Sequence, residues 1–380
     1  MAGEQVVLVH DWLTGMRGGE KCLEPLCRRW PDARLFTLLH RPGSVAPAIE
    51  RTRIRASFLN RLPGVERYYR YLLPLMPLAA GWRVTAADLV VSLSHAVAKS
   101  AVPPPGVPHV CYCFTPMRYA WHLKDSYFRA DGWLAGLKAR AVDLLLAGLR
   151  RWDRRTADRV SHFVAISHTV RRRIRDCYGR DAAVIYPPVD TDFYTPSGQP
   201  REDFYLVVSA LAPYKRFDLA VEACRRLGRR LVVIGSGQEL ARLKAAAGPQ
   251  ATFLGWQPDG VIRDHLRRAK ALLFPGEEDF GIVPLEAQAC GCPVIGFGRG
   301  GLTETVRPLG TAPDPTGVFF AEQTPDSLID ALERFEAHAD RFDPRDARRQ
   351  ALRFRRDRFE TELFGYLDAV RGRPASRAAA

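Results

Sequence analysis

The chain has 380 residues, 47% of them hydrophobic and 26% charged, a composition that excludes a disordered or a membrane-spanning protein. This length predicts two domains with cores large enough to fold without disulfides or structural metals. The formal net charge of +14 shows that the protein is basic, so it is not expected to repel anionic partners.

The positive charge lies almost entirely in the first half of the chain. Residues 1–190 carry 29 Lys and Arg against 16 Asp and Glu, a net charge of +13, whereas residues 191–380 carry 27 against 26. Arginine is densest at 150–159 and 171–175. Two interpretations stay open: an anionic partner such as a lipid headgroup, or arginine-rich helix faces that are simply solvated.

The N-terminal sequence lacks the basic and apolar regions of a signal peptide. The apolar stretch at 72–82 is broken by two prolines and is far shorter than the roughly 20 residues of a membrane span. The eight cysteines include the pairs Cys111/Cys113 and Cys290/Cys292, whose spacing is a poor zinc signal. Buried free thiols predict a cytoplasmic protein, with peripheral attachment to the inner face of the membrane as a further hypothesis.

In the first half, short apolar runs alternate with amphipathic stretches. The runs predict parallel strands covered on both faces, and the stretches include predicted helices at Trp133–Arg155 and Thr169–Tyr178. The predicted strands are Val6–His10, Ala33–Leu39, Asp88–Ser94, His109–Phe114 and His162–Ser167.

The second half repeats this alternation, so the sequence predicts two doubly wound α/β domains. Its predicted strands are Phe204–Leu211, Leu231–Gly235, Thr252–Trp256, Ala271–Gly276 and Pro293–Phe297. We expect an N-terminal domain at 1–190, a C-terminal domain at 191–350, a helix at 351–372 that packs on the N-terminal domain, and a disordered tail at 373–380. Ligands of such sheets bind outside the carboxyl ends of the strands, which directs attention to the loops there.

One of these loops, within PGEEDFGIVPLEAQACGCPVIG at 275–296, has the composition of an anion site. A helix is predicted to begin near Pro284, and the loop before it presents backbone N–H groups that suit a diphosphate. Gly281 allows close approach of the backbone. Glu278 and Glu286, eight residues apart, could each accept hydrogen bonds from hydroxyl groups, or could merely stabilise the helix start.

This segment resembles the E-x7-E signature of glycosyltransferase family 4, whose members are retaining enzymes of the GT-B fold, with two Rossmann-like domains facing across a cleft. The resemblance continues through GMRGGEKCLE, VAISHTVRRRI, VIYPPVDTDFY, LVVSALAPYKRFDLAVEA, LVVIGSGQE, TFLGW and GGLTETV, in family order. Within the family the chain looks closest to bacterial mannosyltransferases of O-antigen and other surface polysaccharides. The resemblance therefore implies an acceptor-binding first domain, a donor-binding second domain and GDP-mannose as donor.

The resemblance also implies roles for individual residues. Glu278 would bind hydroxyls of the donor sugar, and Glu286 would bind the ribose. Lys215, with Arg216 beside it, would neutralise the diphosphate as the glycosidic bond breaks; Ala210 stands where many relatives have a further arginine. The backbone of the loop would contact the sugar and diphosphate through Asp279, Phe280, Gly281 and Ile282.

In the first domain, Gly18 and Gly19 would let a loop close over the phosphates. Phe114 stands where many relatives have a histidine, and His95, at the end of another predicted strand, is the candidate to replace it as a contact of the donor sugar or acceptor. A purely structural histidine is the alternative. Asp11 and Arg118 are further acceptor-side candidates. The expected catalytic residues are thus Glu278, His95 and Lys215.

The expected partners are a nucleotide-sugar donor, a glycan or lipid-diphosphate-linked acceptor and an anionic membrane surface. We expect no cofactor and no metal. Asp190-Thr-Asp192 has the sequence of a metal-binding DxD motif, but it lies between the domains and not after a strand of a nucleotide-binding domain. UDP- or ADP-sugar donors, and a GT-B epimerase or hydrolase, stay open as alternatives.

Two functions from other classes are disfavoured. Gly235-Ser-Gly237 begins a dinucleotide fingerprint, but Leu240 replaces its third glycine, which argues against a nicotinamide-dependent oxidoreductase. The basic first half contains no recognisable nucleic-acid-binding module, and aromatic residues do not interleave with its arginines.

Overall fold

A computed structural model describes residues 5–121 and 135–372. Contacts divide the chain into two units, one formed by Met1–Pro187 with Phe359–Ala380 and the other by Pro188–Arg358. Each unit contains one fully parallel sheet. None of the helices within the described ranges combines the length and the apolar composition that crossing a membrane requires.

The sheet of the first unit has seven strands in the order β3-β2-β1-β4-β5-β6-β7. Strands β1, β4 and β5 are buried at every residue, because their apolar runs are covered on both faces. The strands are β1 Val6–His10, β2 Arg34–Thr37, β3 Arg53–Ala56, β4 Leu89–Ser94, β5 His109–Cys113, β6 His162–Ala165 and β7 Ala182–Val184.

The helices of the first unit pack on the sheet, whose central strands are buried on both faces. They are α1 Gly18–Arg29, α2 Pro47–Glu50, α3 Val65–Tyr68, α4 Met76–Ala79, α5 Arg118–Trp121, α6 Ala135–Ala157 and α7 His168–Tyr178. Short 3₁₀ turns lie at Phe58–Arg61, Tyr69–Leu75 and Ala98–Ser100. The first residues of the helix predicted at Trp133–Arg155 lie outside the described residues.

Helix α6 is anchored by a buried ion pair. The Lys99 ammonium lies 2.7 Å from a carboxylate oxygen of Asp153, and both side chains are almost fully buried. Trp121 and Tyr178 donate hydrogen bonds of 2.9 and 2.8 Å to the other Asp153 oxygen. Because a buried charge needs this number of partners, the cluster fixes α6 in place.

The sheet of the second unit has six strands in the order β10-β9-β8-β11-β12-β13. The strands are β8 Tyr205–Val208, β9 Leu231–Ile234, β10 Ala251–Gly255, β11 Ala271–Phe274, β12 Val294–Phe297 and β13 Gly317–Phe320. The helices are α8 Phe217–Leu227, α9 Leu240–Ala246, α10 Asp259–Arg268, α11 Ile282–Ala289, α12 Leu302–Thr305, α13 Pro325–Ala337 and α14 Pro344–Leu352. Short 3₁₀ turns lie at Pro213–Lys215 and Ala339–Arg341.

The helix expected at 351–372 corresponds to α15 Arg356–Val370, and the separate helix α14 ends before it at Leu352. Arg29 of α1 holds α15 through two hydrogen bonds of 2.7 and 2.8 Å to Asp368. The Val189 N–H donates to the carbonyl of Phe354 at 2.8 Å, so the chain before α15 pairs with the start of the second unit. The boundary between the units consequently falls at 358/359 rather than 350/351, and the tail at 373–380 lies outside the described residues.

Candidate functional site

The candidate site of the second unit lies at the carboxyl ends of β8 and β11. After β8 the chain turns through Pro213–Lys215, and after β11 it forms the loop 275–281. The Lys215 ammonium and the Glu278 carboxylate form a direct ion pair, with about 13% and 12% of the two side chains exposed. The structure thus brings together two residues expected in one site, although 62 residues of chain separate them in the sequence.

Gly276 sets the distance between these two segments. A Cβ atom at Gly276 would lie 2.9 Å from the Cα of Lys215 and 3.0 Å from its carbonyl oxygen. Because both contacts are to backbone, no side-chain rotation could relieve them, and only glycine allows the two loops to pass this closely.

The loop after β12 supports Glu278 from its other side. Gly301 donates a backbone hydrogen bond of 2.7 Å to the Glu278 carbonyl. A Cβ at Gly300, whose φ is +71°, would lie 2.4 Å from that same oxygen, and a Cβ at Gly301 would lie 2.4 Å from the Asp279 carbonyl. Backbone packing against glycine therefore fixes the loop and leaves the Glu278 side chain for other interactions.

Helix α11 begins at Ile282, two residues before the predicted start near Pro284. Gly281 precedes the helix with a φ of +91°, a conformation that favours glycine. Pro284 still lies in the first turn, where backbone N–H groups have no partner within the helix. Phe280 is buried and packs on Phe354 with ring centroids 5.8 Å apart, which orients the loop at the helix start.

The two glutamates of the motif have different surroundings. Glu286 and Asp279 are buried, with about 5% and 4% of each residue exposed, whereas Glu278 is more open. Burial first, and then the negative charge of Glu286, raise the pKa of Tyr194 above its usual value. Glu286 therefore lies close enough to Tyr194 for its charge to act on the phenol, and it is more buried than the residues of the ion pair.

Arg216, expected to act beside Lys215, contacts a side chain of the following helix and the segment before α13. Its guanidinium hydrogen-bonds the Asp218 carboxylate at 3.2 Å and the Gln323 carbonyl at 3.4 Å. The expected role of Arg216 beside Lys215 stays a prediction, and in this structure its charge is shared with Asp218. Among the described residues, Arg216 is the only non-glycine residue with positive φ, at 53°, so it is a strained point next to Lys215.

Gln323 belongs to the same region and was not predicted from the sequence. The side-chain amide of Gln323 donates a hydrogen bond of 2.9 Å to the Pro275 carbonyl. Its backbone carbonyl accepts a hydrogen bond from the Arg216 guanidinium. Gln323 thus connects the Lys215 turn to the loop of Glu278. Its position before α13 gave no signal of this, because the contact depends on where three separate loops meet.

In the first unit, Asp11 holds the loop that carries His95. The fully buried Asp11 carboxylate accepts four backbone N–H groups, from residues 95 to 98, at 2.6–2.9 Å, and lies 3.0 Å from Nδ1 of His95. Burial alone would raise the pKa of Asp11, but the charge and hydrogen bonds of His95 outweigh it and hold the pKa below its usual value. This corrects the expectation of an acceptor contact by Asp11, since its carboxylate is closed to ligands and acts on His95 instead.

His95 is more open, with about 28% of its side chain exposed, and lies edge-on to Trp12 with ring centroids 4.4 Å apart. Phe114 lies 6.1 Å from the His95 ring. The structure therefore places His95 beside Phe114, the position at which many relatives have a histidine. Arg118 begins helix α5 and is half-buried.

A second buried pair, His10 and Glu20, was not predicted. The His10 Nε2 lies 3.6 Å from Glu20, and Glu20 also accepts the Arg17 N–H at 3.0 Å. A Cβ at Gly19 would lie 3.1 Å from the His10 ring, so Gly19 packs on it, while Gly18 is the first residue of α1. Two features of the sequence could have indicated this pair. His10 directly precedes Asp11, and Glu20 directly follows the two glycines.

The Asp190-Thr-Asp192 sequence serves structural contacts. Asp190 accepts the Phe193 N–H at 3.1 Å and lies 3.4 Å from the Arg356 guanidinium. Within residues 5–121 and 135–372, no group of three His, Cys, Asp or Glu side chains is placed to hold a metal ion. Gly235 and Gly237 pack on the backbone of Ser209 and Leu211, where a Cβ would approach within 1.8 and 2.4 Å.

Two family models match the chain in succession. The one described as Glycosyltransferase Family 4 matches residues 16–193, and the one described as Glycosyl transferases group 1 matches residues 194–351. Among curated proteins, the D-inositol 3-phosphate glycosyltransferase of Gordonia bronchialis is 29% identical over 222 residues, which cover 50% of this chain and 47% of that protein. The chain thus spans about half the length of the curated relatives it matches.

Solved structures resemble the chain along nearly its whole length. The Anabaena HepE structure in complex with UDP and glucose covers 96% of this chain and 99% of its own, with a TM-score of 0.68 and 15% identity. Sucrose-phosphate synthase from Thermosynechococcus elongatus covers 97% and 99%, with a TM-score of 0.69 and 15% identity. These likenesses confirm the predicted α/β fold of two Rossmann-like domains, the GT-B fold.

Proposed function

We propose that the chain is a family 4-type glycosyltransferase that transfers a hexose from a nucleotide sugar with retention of anomeric configuration, a proposal that the two matched regions support. The observation that carries this proposal is the ion pair of Lys215 and Glu278, held by glycine contacts at the carboxyl ends of β8 and β11. In parallel α/β sheets this edge is where ligands bind.

Each part of the site has a role in this chemistry. The Lys215 ammonium neutralises the charge that develops on the leaving diphosphate, and the free N–H groups at the start of α11 add to that stabilisation. Glu278 exchanges its contact with Lys215 for hydroxyls of the donor sugar. The buried Glu286 binds the ribose, with the Tyr194 phenol beside it. We propose that these charges and amides meet the diphosphate without a metal.

For the transfer itself we propose front-face attack, in which the leaving phosphate accepts the proton of the acceptor hydroxyl. His95, oriented by Asp11 at 3.0 Å, contacts the donor sugar or the acceptor. The acceptor is a glycan or a lipid-diphosphate-linked glycan of a surface polysaccharide. The eight cysteines are buried free thiols, which supports a cytoplasmic site of action.

GDP-mannose is the donor we propose first, from the motif resemblance to bacterial mannosyltransferases. A UDP-hexose is the second candidate, supported by the HepE structure, which contains UDP and glucose. Thermal-shift measurements with GDP-mannose, UDP-glucose and ADP-glucose distinguish them, because a ligand at a hundred times its Kd stabilises the folded state by about 2.7 kcal/mol.

The matched variants are Lys215→Ala and Lys244→Ala, since Lys244 is an exposed lysine of the same unit. We expect one donor to raise the Tm of the wild type and of Lys244→Ala, but not of Lys215→Ala. No shift with any nucleotide sugar, or an equal shift in both variants, contradicts the site. Consumption of donor without acceptor would instead indicate an epimerase or hydrolase.

A further inference from the structure

The first unit contains an open cavity of about 590 Å³ to which no residue of the candidate site contributes. The cavity lies against strands β6 and β7 and helices α7 and α15. Its volume is within the range of about 300–1,000 Å³ that small-molecule sites have. The side chains that line it include His162, His168, Arg171, Asp181, Tyr186 and Tyr366.

The cavity is separate from His95 although both belong to the same sheet. His95 directly follows β4, whereas β7 is the edge strand, three places away in the order β4-β5-β6-β7. Because neighbouring strands lie about 4.8 Å apart, the ends of β4 and β7 are roughly 14 Å from each other. A ligand in the cavity therefore occupies a different position from a sugar that contacts His95.

Two pairs of a histidine and a tyrosine line the cavity. The rings of His162 and Tyr366 meet edge to face with centroids 6.4 Å apart, and those of His168 and Tyr186 do so at 6.4 Å. His162 begins the four-residue strand β6 and His168 follows its end. At about 3.3 Å per residue, the strand alone separates the two histidines by roughly 10 Å, so the two pairs suit an elongated ligand made of linked rings.

Polar atoms of the first pair are available to a ligand. Nδ1 of His162 lies 3.0 Å from the Ser161 hydroxyl, which orients the ring, and no atom within the described ranges bonds its Nε2. The Tyr366 hydroxyl has no hydrogen-bond partner in the described part of the chain, and burial raises the pKa of Tyr366, so it stays a protonated donor. Aromatic faces beside such polar atoms match the C–H faces and hydroxyl edges of sugar rings.

The open edge of β7 adds backbone groups to the cavity. The Ile185 N–H donates to the Ala165 carbonyl at 3.0 Å, so Ile185 faces β6. Alternate residues of a strand direct their N–H and C=O groups to opposite sides, so those of Val184 point to the open edge. Strand β7 has only three residues, fewer than the usual length of about five or six, which favours hydroxyl groups over an added peptide strand as partners of this edge.

The lining carries no net charge when its histidines are neutral, although residues 1–190 have a net charge of +13. Its one cation and one anion, Arg171 and Asp181, form a bidentate pair with hydrogen bonds of 2.8 and 2.9 Å. Paired in this way, the two groups still offer hydrogen bonds but attract neither anions nor cations strongly. The cavity therefore favours an uncharged, hydroxyl-rich ligand over a nucleic acid or an anionic headgroup.

We propose that this cavity is a second binding site of the first unit, which holds a segment of two or more uncharged sugar residues. The two histidine–tyrosine pairs contact the sugar rings, and the backbone of β7 and the Arg171–Asp181 pair bind the hydroxyl groups. The inference goes beyond the proposed function, because binding here requires neither a donor nor turnover.

Saturation-transfer NMR of the full chain with mannotriose, maltotriose or cellotriose, in the absence of any nucleotide sugar, tests the proposal. The test variants are Tyr366→Ala, which removes one ring, and Ala183→Trp, which fills the cavity from β7. The matched controls are Tyr71→Ala, at an exposed tyrosine of the same unit, and Ala183→Ser, which leaves the cavity open.

We expect the wild type and both controls to bind at least one trisaccharide with a Kd in the millimolar range. Tyr366→Ala should bind on the order of tenfold more weakly, because one ring contact is lost. Ala183→Trp should abolish binding while its circular dichroism stays that of the wild type. Added salt should leave the Kd unchanged, since the ligand is neutral, and His95→Ala should bind as the wild type does.

The proposal is overturned if no trisaccharide binds the wild type, or if Ala183→Trp binds with the wild-type Kd. Loss of binding in His95→Ala, with both test variants unaffected, would assign the trisaccharide to the His95 side and would also overturn it. So would a wild-type dimer in sedimentation velocity that Ala183→Trp dissociates, because the open edge would then belong to a second copy of the chain. Donor binding by thermal shift is measured separately, so failure here leaves the glycosyltransferase proposal standing.

Discussion

Polar residues lie at the carboxyl ends of the strands in both units, but the two units employ them differently. In the first unit, the buried carboxylate of Asp11 is fully occupied by four backbone N–H groups and His95. In the second, glycine contacts hold the loops, and the ion pair of Lys215 and Glu278 stays partly exposed.

The two units fix their loops in different ways. Where a carboxylate provides the support, its oxygens are consumed, and only the residue it orients, His95, can meet a ligand. Where backbone packing on glycine provides the support, the charged side chains remain available for chemistry. Support of a loop positions its functional side chains more precisely, because it limits the positions that they can take.

The largest effect that would sharpen this contrast is on stability. Asp11→Ala leaves four backbone N–H groups without their acceptor, so we expect it to lower the free energy of unfolding of the first unit by about 3–5 kcal/mol. Urea unfolding followed by tryptophan fluorescence measures this unit, because six of the seven tryptophans lie within residues 1–187. The exposed Asp158→Ala is the control, and an equal urea midpoint in both variants would remove the contrast.

The second effect is on turnover. Lys215→Ala removes the cation expected to meet the leaving diphosphate, so kcat should fall on the order of 100- to 1,000-fold, or about 2.7–4 kcal/mol. Glu278→Ala should also cut turnover severely. The fold, followed by circular dichroism, should survive in both. Steady-state kinetics that leave either variant near wild-type activity would break the assignment of the site.

A third effect concerns pH and the interior of the first unit. Burial, with smaller effects from Lys99 and Arg159, lowers the pKa of His109 to about 4, although its hydrogen bond to the Arg159 carbonyl acts the other way. Nδ1 donates to that carbonyl and Nε2 accepts from Ser92, which is the arrangement of a neutral ring.

Because this folded-state pKa lies below the unfolded value of about 6.5, the neutral ring contributes stability that is complete above pH 6.5 and is lost as the pH falls towards 4. Between pH 7 and pH 5 the first unit should lose about 2 kcal/mol from this group. Urea unfolding at the two pH values should show the loss in the wild type and a smaller one in His109→Gln; parallel losses would contradict the assignment.

The smallest expected effect is on donor binding, and it tests whether the glycine contact positions the Lys215 charge. Gly276→Ala places a Cβ 2.9 Å from the Lys215 Cα, so the two loops must move apart. A displacement of the cation should weaken donor binding about tenfold, or about 1.4 kcal/mol. Gly260→Ala is the control, since a Cβ there meets no atom within 4 Å. Equal donor affinity in the two variants, by titration, would show that the glycine contact does not position Lys215.

Local pattern was enough for the interior strands. Runs such as Val6–His10 and Ala271–Phe274 are buried on both faces, so their apolar composition identified them. The missed strands β3, β7 and β13 are all at sheet edges, where one side is open. The strand Arg53–Ala56 therefore has no apolar run, and its polar composition resembles that of a loop.

The two parallel α/β units and the loop that carries Glu278 could be predicted from the sequence, because apolar runs and glycines in neighbouring residues indicate buried strands and the turns between them. Which side chains meet depends on the tertiary structure, as in the contacts of Asp11 with a loop up to 87 residues away, of Arg216 with Gln323, and of Lys215 with Glu278. These pairings depend on the order of strands in the sheet, which brings distant loops to one edge. No local periodicity records that order, so a residue's partner, unlike its burial, could not be read from its neighbours.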